Sequence, residues 1–272
     1  MREIRFLCLA VSRRPGGRCI AGIDLDTGNW IRPVDCTTHG AVDGHQISIY
    51  DSVAPANPVY ASIRKLSGRQ DTAAKNEREY REERSRIMRK LDIVRLRIGN
   101  AVGTQVQPEN WELLAPDESR GNHDLVRSFN NQVDRSLLLA RLKQDCTGPL
   151  LHSYGETMEA LLPRHSQLSH SLTLIRPNDL HWKVEPHPRW SNKTRVRADF
   201  KFDFSAYSLV VTDPEWEDRC SRIGPGRHPH MDIEGGSNNE MLLAISLTEK
   251  EKDIGSRHYK LVAGVVEIPK TN

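Results

Sequence analysis

The chain has no hydrophobic run long enough to cross a membrane and no large surplus of one charge. None of its apolar stretches approaches the roughly 18 residues of a membrane-spanning helix, and only 37% of its 272 residues are hydrophobic. Its 39 basic and 36 acidic residues leave a net charge of +3, which argues against a strongly cationic nucleic-acid protein but allows a local basic patch. The charged start Met1–Arg5 does not fit a secretory signal peptide. We therefore expect a cytoplasmic protein without a membrane partner.

Cysteine is scarce and is not arranged as in a metal site. The 5 cysteines, at positions 8, 19, 36, 146 and 220, form no CxxC pair, so neither a disulfide framework nor a structural zinc site is expected. The sequence also lacks a G-x-S-x-G nucleophile motif and a phosphate-binding glycine loop. We therefore predict no cofactor, no bound metal and no catalytic residues.

Two distant parts of the chain carry short apolar strands separated by tight turns. In the first, Glu3–Ser12 and Arg18–Asp24 flank a Pro-Gly-Gly turn and are followed by Trp30–Val34 and Gln46–Val53. In the second, the candidate strands are Ser169–Ile175, Arg195–Phe204, Tyr207–Thr212, Glu240–Leu247 and Tyr259–Ile268. Such strands are typical of two small barrels in tandem rather than one enzyme core.

Helical and loop patterns lie between these strands. Residues 73–91 contain no Gly or Pro and are dense in Glu and Arg, which predicts a helix that mostly faces water. Residues 122–146 and 156–162 predict further helices. The segment 220–239 is rich in Gly, Pro and polar residues, which predicts one long loop.

Short motifs spread over nearly the whole chain resemble one known family. They are Cys19–Asp24 with Trp30–Pro33, Gln107–Trp111, Thr212–Glu217 and Tyr259–Gly264. In this order they resemble the dual OB-containing domain proteins, which are found beside prokaryotic defence and mobile-element genes. The resemblance implies two OB folds and a role in recognising nucleic acid or oligonucleotides. It implies no reaction.

Pattern and resemblance together give the expected architecture. The fold class is mainly β with helical insertions (α+β), in which two OB-like small β-barrels are joined by a helical segment. The expected domains are 1–120 with a helical insertion at about 73–91, a helical connector at 121–165, and a C-terminal OB-like domain at 166–272.

Trp30 and Arg32 are the first candidate nucleic-acid contacts. They lie two positions apart on a predicted strand, so both side chains project from the same face. An aromatic ring beside a guanidinium suits base stacking and phosphate contact. The alternative is that Trp30 packs in the core of a small barrel and Arg32 pairs with a carboxylate.

A second candidate contact is the stretch from Trp190 to Arg197. Lys193, Arg195 and Arg197 alternate with smaller residues, so one strand face carries three cations near an aromatic ring. This is the electrostatic pattern that a single nucleic-acid strand requires. The same pattern also fits the solvated outer face of an edge strand, where charges discourage aggregation.

Acidic residues and histidines near the C-terminal strands suggest two further alternatives. Four carboxylates lie within six positions of Thr212–Asp218, as in Mg²⁺-dependent nucleases. However, Asp213 followed by Pro214 is also the pattern of a helix N-cap and first turn. The group His228–Asp232 could contribute ligands to a divalent ion or form part of a polar loop.

The leading hypothesis is a non-catalytic module that recognises nucleic acid in a prokaryotic defence or mobile-element system. One alternative is a metal-dependent nuclease that uses the carboxylates and histidines of 213–232. Another is a subunit that docks a nuclease or helicase partner from the same system through the helix at 75–90. The near-neutral charge favours the docking subunit, and the resemblance favours the nucleic-acid module.

Overall fold

The computed structural model describes twelve segments of the chain. These are residues 1–14, 16–37, 40–51, 85–104, 106–115, 123–129, 133–145, 160–161, 170–188, 193–233, 239–248 and 258–268. Most of these residues lie in strands, which confirms the prediction of a mainly β chain. None of the helices in these segments is long and apolar enough to span a membrane.

The chain divides into two compact units. The first comprises residues 1–8, 14–101 and 111–129, and the second comprises 9–13, 102–110 and 130–272.

Eight described strands lie wholly or largely in the first unit. They are β1 Arg2–Arg14, β2 Gly17–Asp24, β3 Trp30–Val34, β4 Ser48–Tyr50, β5 Ser85–Ile87, β6 Asp92–Ala101, β7 Asn110–Leu113 and β8 His123–Ser128. Strands β1, β2, β3, β7 and β6 close into a barrel because β1 pairs with both β2 and β6. Alternate residues such as Ile4, Phe6, Leu96 and Ile98 are buried, as expected for inward-facing positions. This five-stranded barrel agrees with the expected OB-like architecture.

Part of the segment predicted as a helix at 73–91 is a strand instead, β5 at Ser85–Ile87. The structure describes its residues 85–91, where β5 pairs with β4. Arg86 Nε lies 3.1 Å from Oδ2 of Asp51, and Arg86 Nη1 lies 2.7 Å from Oδ2 of Asp92. Its ion-pair partners are therefore carboxylates in or beside neighbouring strands rather than residues along a helix face. Residues 73–84 lie outside the described segments.

The predicted connector at 121–165 is helical only in part. Its first described residues form β8, which pairs antiparallel with β6, and helix α1 extends from Val133 to Asp145. The helix therefore begins later than the sequence suggested. The backbone groups of β8 form their hydrogen bonds with β6, so these residues are part of a sheet and not of the helix. Ala160–Leu161 form the short strand β9 rather than part of a helix.

The second unit is built on another eight-stranded sheet. Besides β9 its strands are β10 Leu172–Ile175, β11 Asn178–Pro186, β12 Thr194–Phe202, β13 Ser205–Val211, β14 Gly226–Pro229, β15 Glu240–Leu247 and β16 His258–Ile268. The order is β10-β15-β16-β13-β12-β11-β14, and β9 pairs with β16. The pairings of its described strands are antiparallel except for β13 with β16.

The core of the second unit lies on one face of this sheet. Trp182 of β11 stacks on Trp216 with ring centroids 4.8 Å apart, and Trp216 belongs to helix α2, Pro214–Ser221. Val196 and Phe200 of β12 are buried in the same core. Because side chains alternate along a strand, the residues between them project to the opposite, outer face.

The predicted loop at 220–239 contains regular structure. Within it, β14 pairs with β11, placing His228 opposite Trp182, and His230–Asp232 forms a 3-10 turn. The Gly- and Pro-rich composition misled the prediction because pairing with a neighbouring strand stabilises this segment. Residues 234–238 lie outside the described segments.

Candidate nucleic-acid interface

Trp30 and Arg32 lie inside the first unit rather than on its surface. Only 3% of Trp30 and 4% of Arg32 are exposed. A base cannot stack on a ring that is almost fully buried, so the burial of Trp30 favours the core alternative.

The basic stretch before and within β12 is only partly available to a ligand. Lys193 is exposed. Arg195 Nε donates a hydrogen bond of 2.9 Å to Oε1 of Glu185, and Arg197 is buried with its Nε 2.9 Å from the hydroxyl of Ser208. The structure thus places Arg195 and Arg197 on one face but engages both in local bonds. Trp190 lies outside the described residues.

Three cations face one another across neighbouring strands of the second unit. The antiparallel register places Arg227 of β14 opposite Lys183 of β11, and Lys183 opposite Arg197 of β12. Neighbouring strands are about 4.8 Å apart, and like charges directly opposite each other are destabilising. In this cation row, Arg227, Lys183 and Arg197, the first two side chains are exposed and Arg197 is buried. A bound anion would therefore be favourable beside Arg227 and Lys183.

Carboxylates on the same face partly balance the row. Lys183 Nζ lies 2.7 Å from Glu185, and Arg227 Nε lies 3.4 Å from Asp199. Although burial acts to raise the pKa of Glu185, hydrogen bonds from Lys183 and Arg195 hold it below its usual value. Glu185 is therefore ionised at neutral pH, and the face is a network of fixed charges of both signs.

A third carboxylate, Asp179, lies at the exposed end of this network. Lys201 Nζ is 3.0 Å from its Oδ2, and the hydrogen bond from Lys201 lowers the pKa of Asp179. Both side chains are about half exposed or more, at 64% for Lys201 and 49% for Asp179. Such an exposed ion pair is weak, so Lys201 can exchange Asp179 for another anion at little cost.

An open cleft of about 430 Å³ lies on this outer face. It is bordered by Lys183, Lys201, Arg227, Asp179, Asp199 and Tyr207. The volume falls within the range of ligand pockets, and the border carries three cations from three different strands. The cleft and the cation row together form one candidate site for an anion.

The histidines proposed as metal ligands, His228 and His230, have local partners instead. His228 Nε2 lies 3.0 Å from the carbonyl oxygen of Gly224, and Trp182 Nε1 donates to Nδ1 of His230 at 3.3 Å. Burial lowers the pKa of His230, which favours the neutral ring that can accept this bond. Within the described segments, no group of three or more His, Cys, Asp or Glu residues could hold a metal ion.

Three cations of the site were not identified from the sequence. They are Lys183 on β11, Lys201 on β12 and Arg227 on β14. In β11, Trp182 and Val184 alternate with polar residues, a pattern that is typical of a strand and could have identified Lys183. β14 shows no such pattern, because its four residues include Gly and Pro. It forms a strand because it pairs with β11.

Comparison with known proteins supports the architecture. A model of the dual OB-containing domain family matches residues 4–59 and 56–265. No curated protein and no solved structure matches the chain. The family match covers most of the chain, and the closed barrel of the first unit agrees with it. The chain therefore belongs to the dual OB-containing domain family.

Proposed function

We propose that this protein is a non-catalytic module that binds nucleic acid on the outer face of β14, β11, β12 and β13. The observation that carries the proposal is the cation row, in which Arg227, Lys183 and Arg197 face one another across three strands. Neutralising phosphates with Lys and Arg is the main source of affinity for nucleic acids. A phosphate chain lying across the strands would relieve the repulsion within this row.

The charge of this face supports the same proposal. It carries five cations and three carboxylates: Lys183, Arg195, Arg197, Lys201 and Arg227 with Asp179, Glu185 and Asp199. The whole chain has a net charge of only +3, so a large part of its positive surplus is concentrated here. Local concentration of charge matters more for a polyanion than net charge does.

Salt-dependent binding tests the proposal. Affinities for single-stranded DNA, duplex DNA and RNA are measured over a range of salt concentrations. The variant K183A/K201A/R227A removes the three exposed cations that border the cleft. Each lost phosphate contact lowers the slope of log affinity against log salt by about 0.7 for a single strand, so the slope should fall by up to about 2.

A matched control lies at the other edge of the sheet. Lys143 is exposed on α1, which packs on β10, and β10 and β14 are opposite ends of the strand order. Lys143→Ala removes one positive charge away from the site, so it should leave the salt slope unchanged. Equal slopes for the wild type and K183A/K201A/R227A would contradict the proposed face.

Removing a competing anion should have the opposite effect. Asp179→Asn keeps the size of the side chain but frees Lys201 from its exposed ion pair. Because an exposed ion pair of this kind is weak, affinity for an oligonucleotide should rise only modestly, by up to about fivefold. A weaker affinity in this variant would show that Asp179 itself holds the ligand.

The biological setting belongs to the same proposal. We place the module in the cytoplasm of a prokaryote, in a defence or mobile-element system with a protein partner. The family resemblance supports this setting. Among the described residues, Cys8, Cys19, Cys36 and Cys220 are reduced cysteines, which is consistent with a reducing compartment. The docking alternative relies on a helix at 75–90, of which the described residues 85–87 form β5.

A further inference from the structure

The turn between β12 and β13 presents a fully exposed phenylalanine. Phe202 pairs with Ser205, which leaves Asp203 and Phe204 as a two-residue turn. Asp203 has a φ of 54°, a left-handed conformation that Asp tolerates and that tight hairpin turns require. Phe204 is the most exposed large hydrophobic side chain among the described residues, so packing within its own unit does not explain it.

This ring lies at the end of the proposed binding face. Lys201 and Ala206 are opposite each other in the register, border the cleft and are the last outer-face pair before the turn. One further pair, Phe202 and Ser205, separates them from the turn that carries Phe204. Seven positions separate it from Arg197 of the cation row, which corresponds to at most about 23 Å along the strand.

We propose that Phe204 stacks on an unpaired base of the bound oligonucleotide, so that the ligand is a single strand. This inference rests on the proposed function, because it assigns the base contact that accompanies the phosphate contacts of the cation row. Base–aromatic stacking is the contact that single-strand binders add to a cationic groove. In a duplex the bases are already paired and stacked, so a ring at a hairpin tip must partly unstack a base step before it can contact a base. In a single strand the bases are unpaired, so stacking on Phe204 does not carry that cost.

The surroundings of Phe204 favour a base over a protein pocket as its occupant. Hot spots between proteins lie at the centre of a desolvated, well-packed patch. The outer-face residues next to Phe204 in the register are Lys201, which is 64% exposed, and Ala206, which is also exposed. A charged lysine beside a ring suits a nucleotide, whose phosphate and base can engage the two together.

The test compares the wild type with Phe204→Ala and Phe204→Trp, using a labelled single strand and a duplex of the same sequence. Phe204→Ala should weaken single-strand binding by about 5- to 150-fold, with the salt slope and duplex binding unchanged. Phe204→Trp should retain the affinity, because its ring can also stack. Since the side chain is fully exposed, neither variant should alter folding, and thermal melting provides the check.

Three outcomes would overturn the inference. If Phe204→Ala binds the single strand as tightly as the wild type while K183A/K201A/R227A weakens it, stacking is wrong and the proposed function stands. If Phe204→Ala weakens single-strand and duplex binding equally, the preference for unpaired bases is wrong. If the wild type binds neither ligand, both the inference and the proposed function are wrong.

Discussion

Asp213 accepts a hydrogen bond of 2.9 Å at Oδ2 from the backbone amide of Val265. Its other oxygen, Oδ1, accepts from the amides of Glu215 and Trp216 at 3.1 and 3.4 Å. The predicted N-cap at Asp213 and first-turn proline at Pro214 are thus confirmed. A single buried carboxylate connects α2 to β16, and its bonds assign it a structural role.

Removing this carboxylate should destabilise the second unit. Asp213→Ala deletes the helix cap, at a cost of about 0.5–2 kcal/mol, and leaves the buried amide of Val265 without its acceptor, at a further cost of about 1–3 kcal/mol. Urea unfolding should therefore show a loss of about 1.5–5 kcal/mol in the free energy of unfolding. As a control, Asp218→Ala changes a carboxylate that is 64% exposed and should cost less than about 1 kcal/mol.

We expect no hydrolysis of nucleic acid by the purified protein. Asp213 is a helix cap, His228 and His230 contact Gly224 and Trp182, and a Mg²⁺-dependent reaction requires carboxylates that are free to bind the ion. Labelled DNA and RNA incubated with Mg²⁺ or Mn²⁺ should remain intact. Metal-dependent cleavage that copurifies with the wild type and is lost in the fully folded variant His230→Gln would support the nuclease alternative.

Trp30→Ala distinguishes the two interpretations of Trp30. Because the side chain is 3% exposed, the variant should create a cavity that costs about 3–5 kcal/mol of stability. Thermal melting of the first unit should fall accordingly, while the salt slope for oligonucleotide binding stays the same. A wild-type melting temperature combined with weaker binding would instead restore Trp30 as a base-stacking residue.

His123 should make the first unit less stable in acid. Its Nε2 lies 3.0 Å from the carbonyl oxygen of Gln46, and burial lowers its pKa from 6.5 to about 4. Between these two values the unfolded chain binds a proton that the folded chain does not, so stability falls as the pH falls from about 6.5 to 4. The loss is on the order of 3 kcal/mol.

The contribution of His123 is measured as a difference between two proteins. Urea unfolding at neutral and acid pH is compared for the wild type and His123→Gln, which retains an amide donor but does not titrate. The variant should lose less stability on acidification. Identical pH dependence in the two proteins would show that another group carries the effect.

Local patterns were sufficient wherever a structure depends on neighbours in the chain. The Asp213-Pro214 pair predicted the start of α2, because a helix cap is made by residues two or three positions apart. A nearly continuous apolar run predicted β15 at its observed bounds, Glu240–Leu247. Alternation predicted most of β12, because the side-chain period of a strand is a local property. The short motifs spread along the chain indicated the family.

Tertiary pairing decided the remainder. The residues of β8 have a helix-compatible pattern, but β6 offers them a partner, and sheet hydrogen bonding overrides a weak local preference. The cation row exists because β11 pairs with both β12 and β14 in a particular register, and a shift of one residue would turn Lys183 to the other face. The spacing of residues along the sequence does not determine that register. The chain's composition and periodicity determined its β architecture, whereas its candidate binding face depended on which distant strands became neighbours.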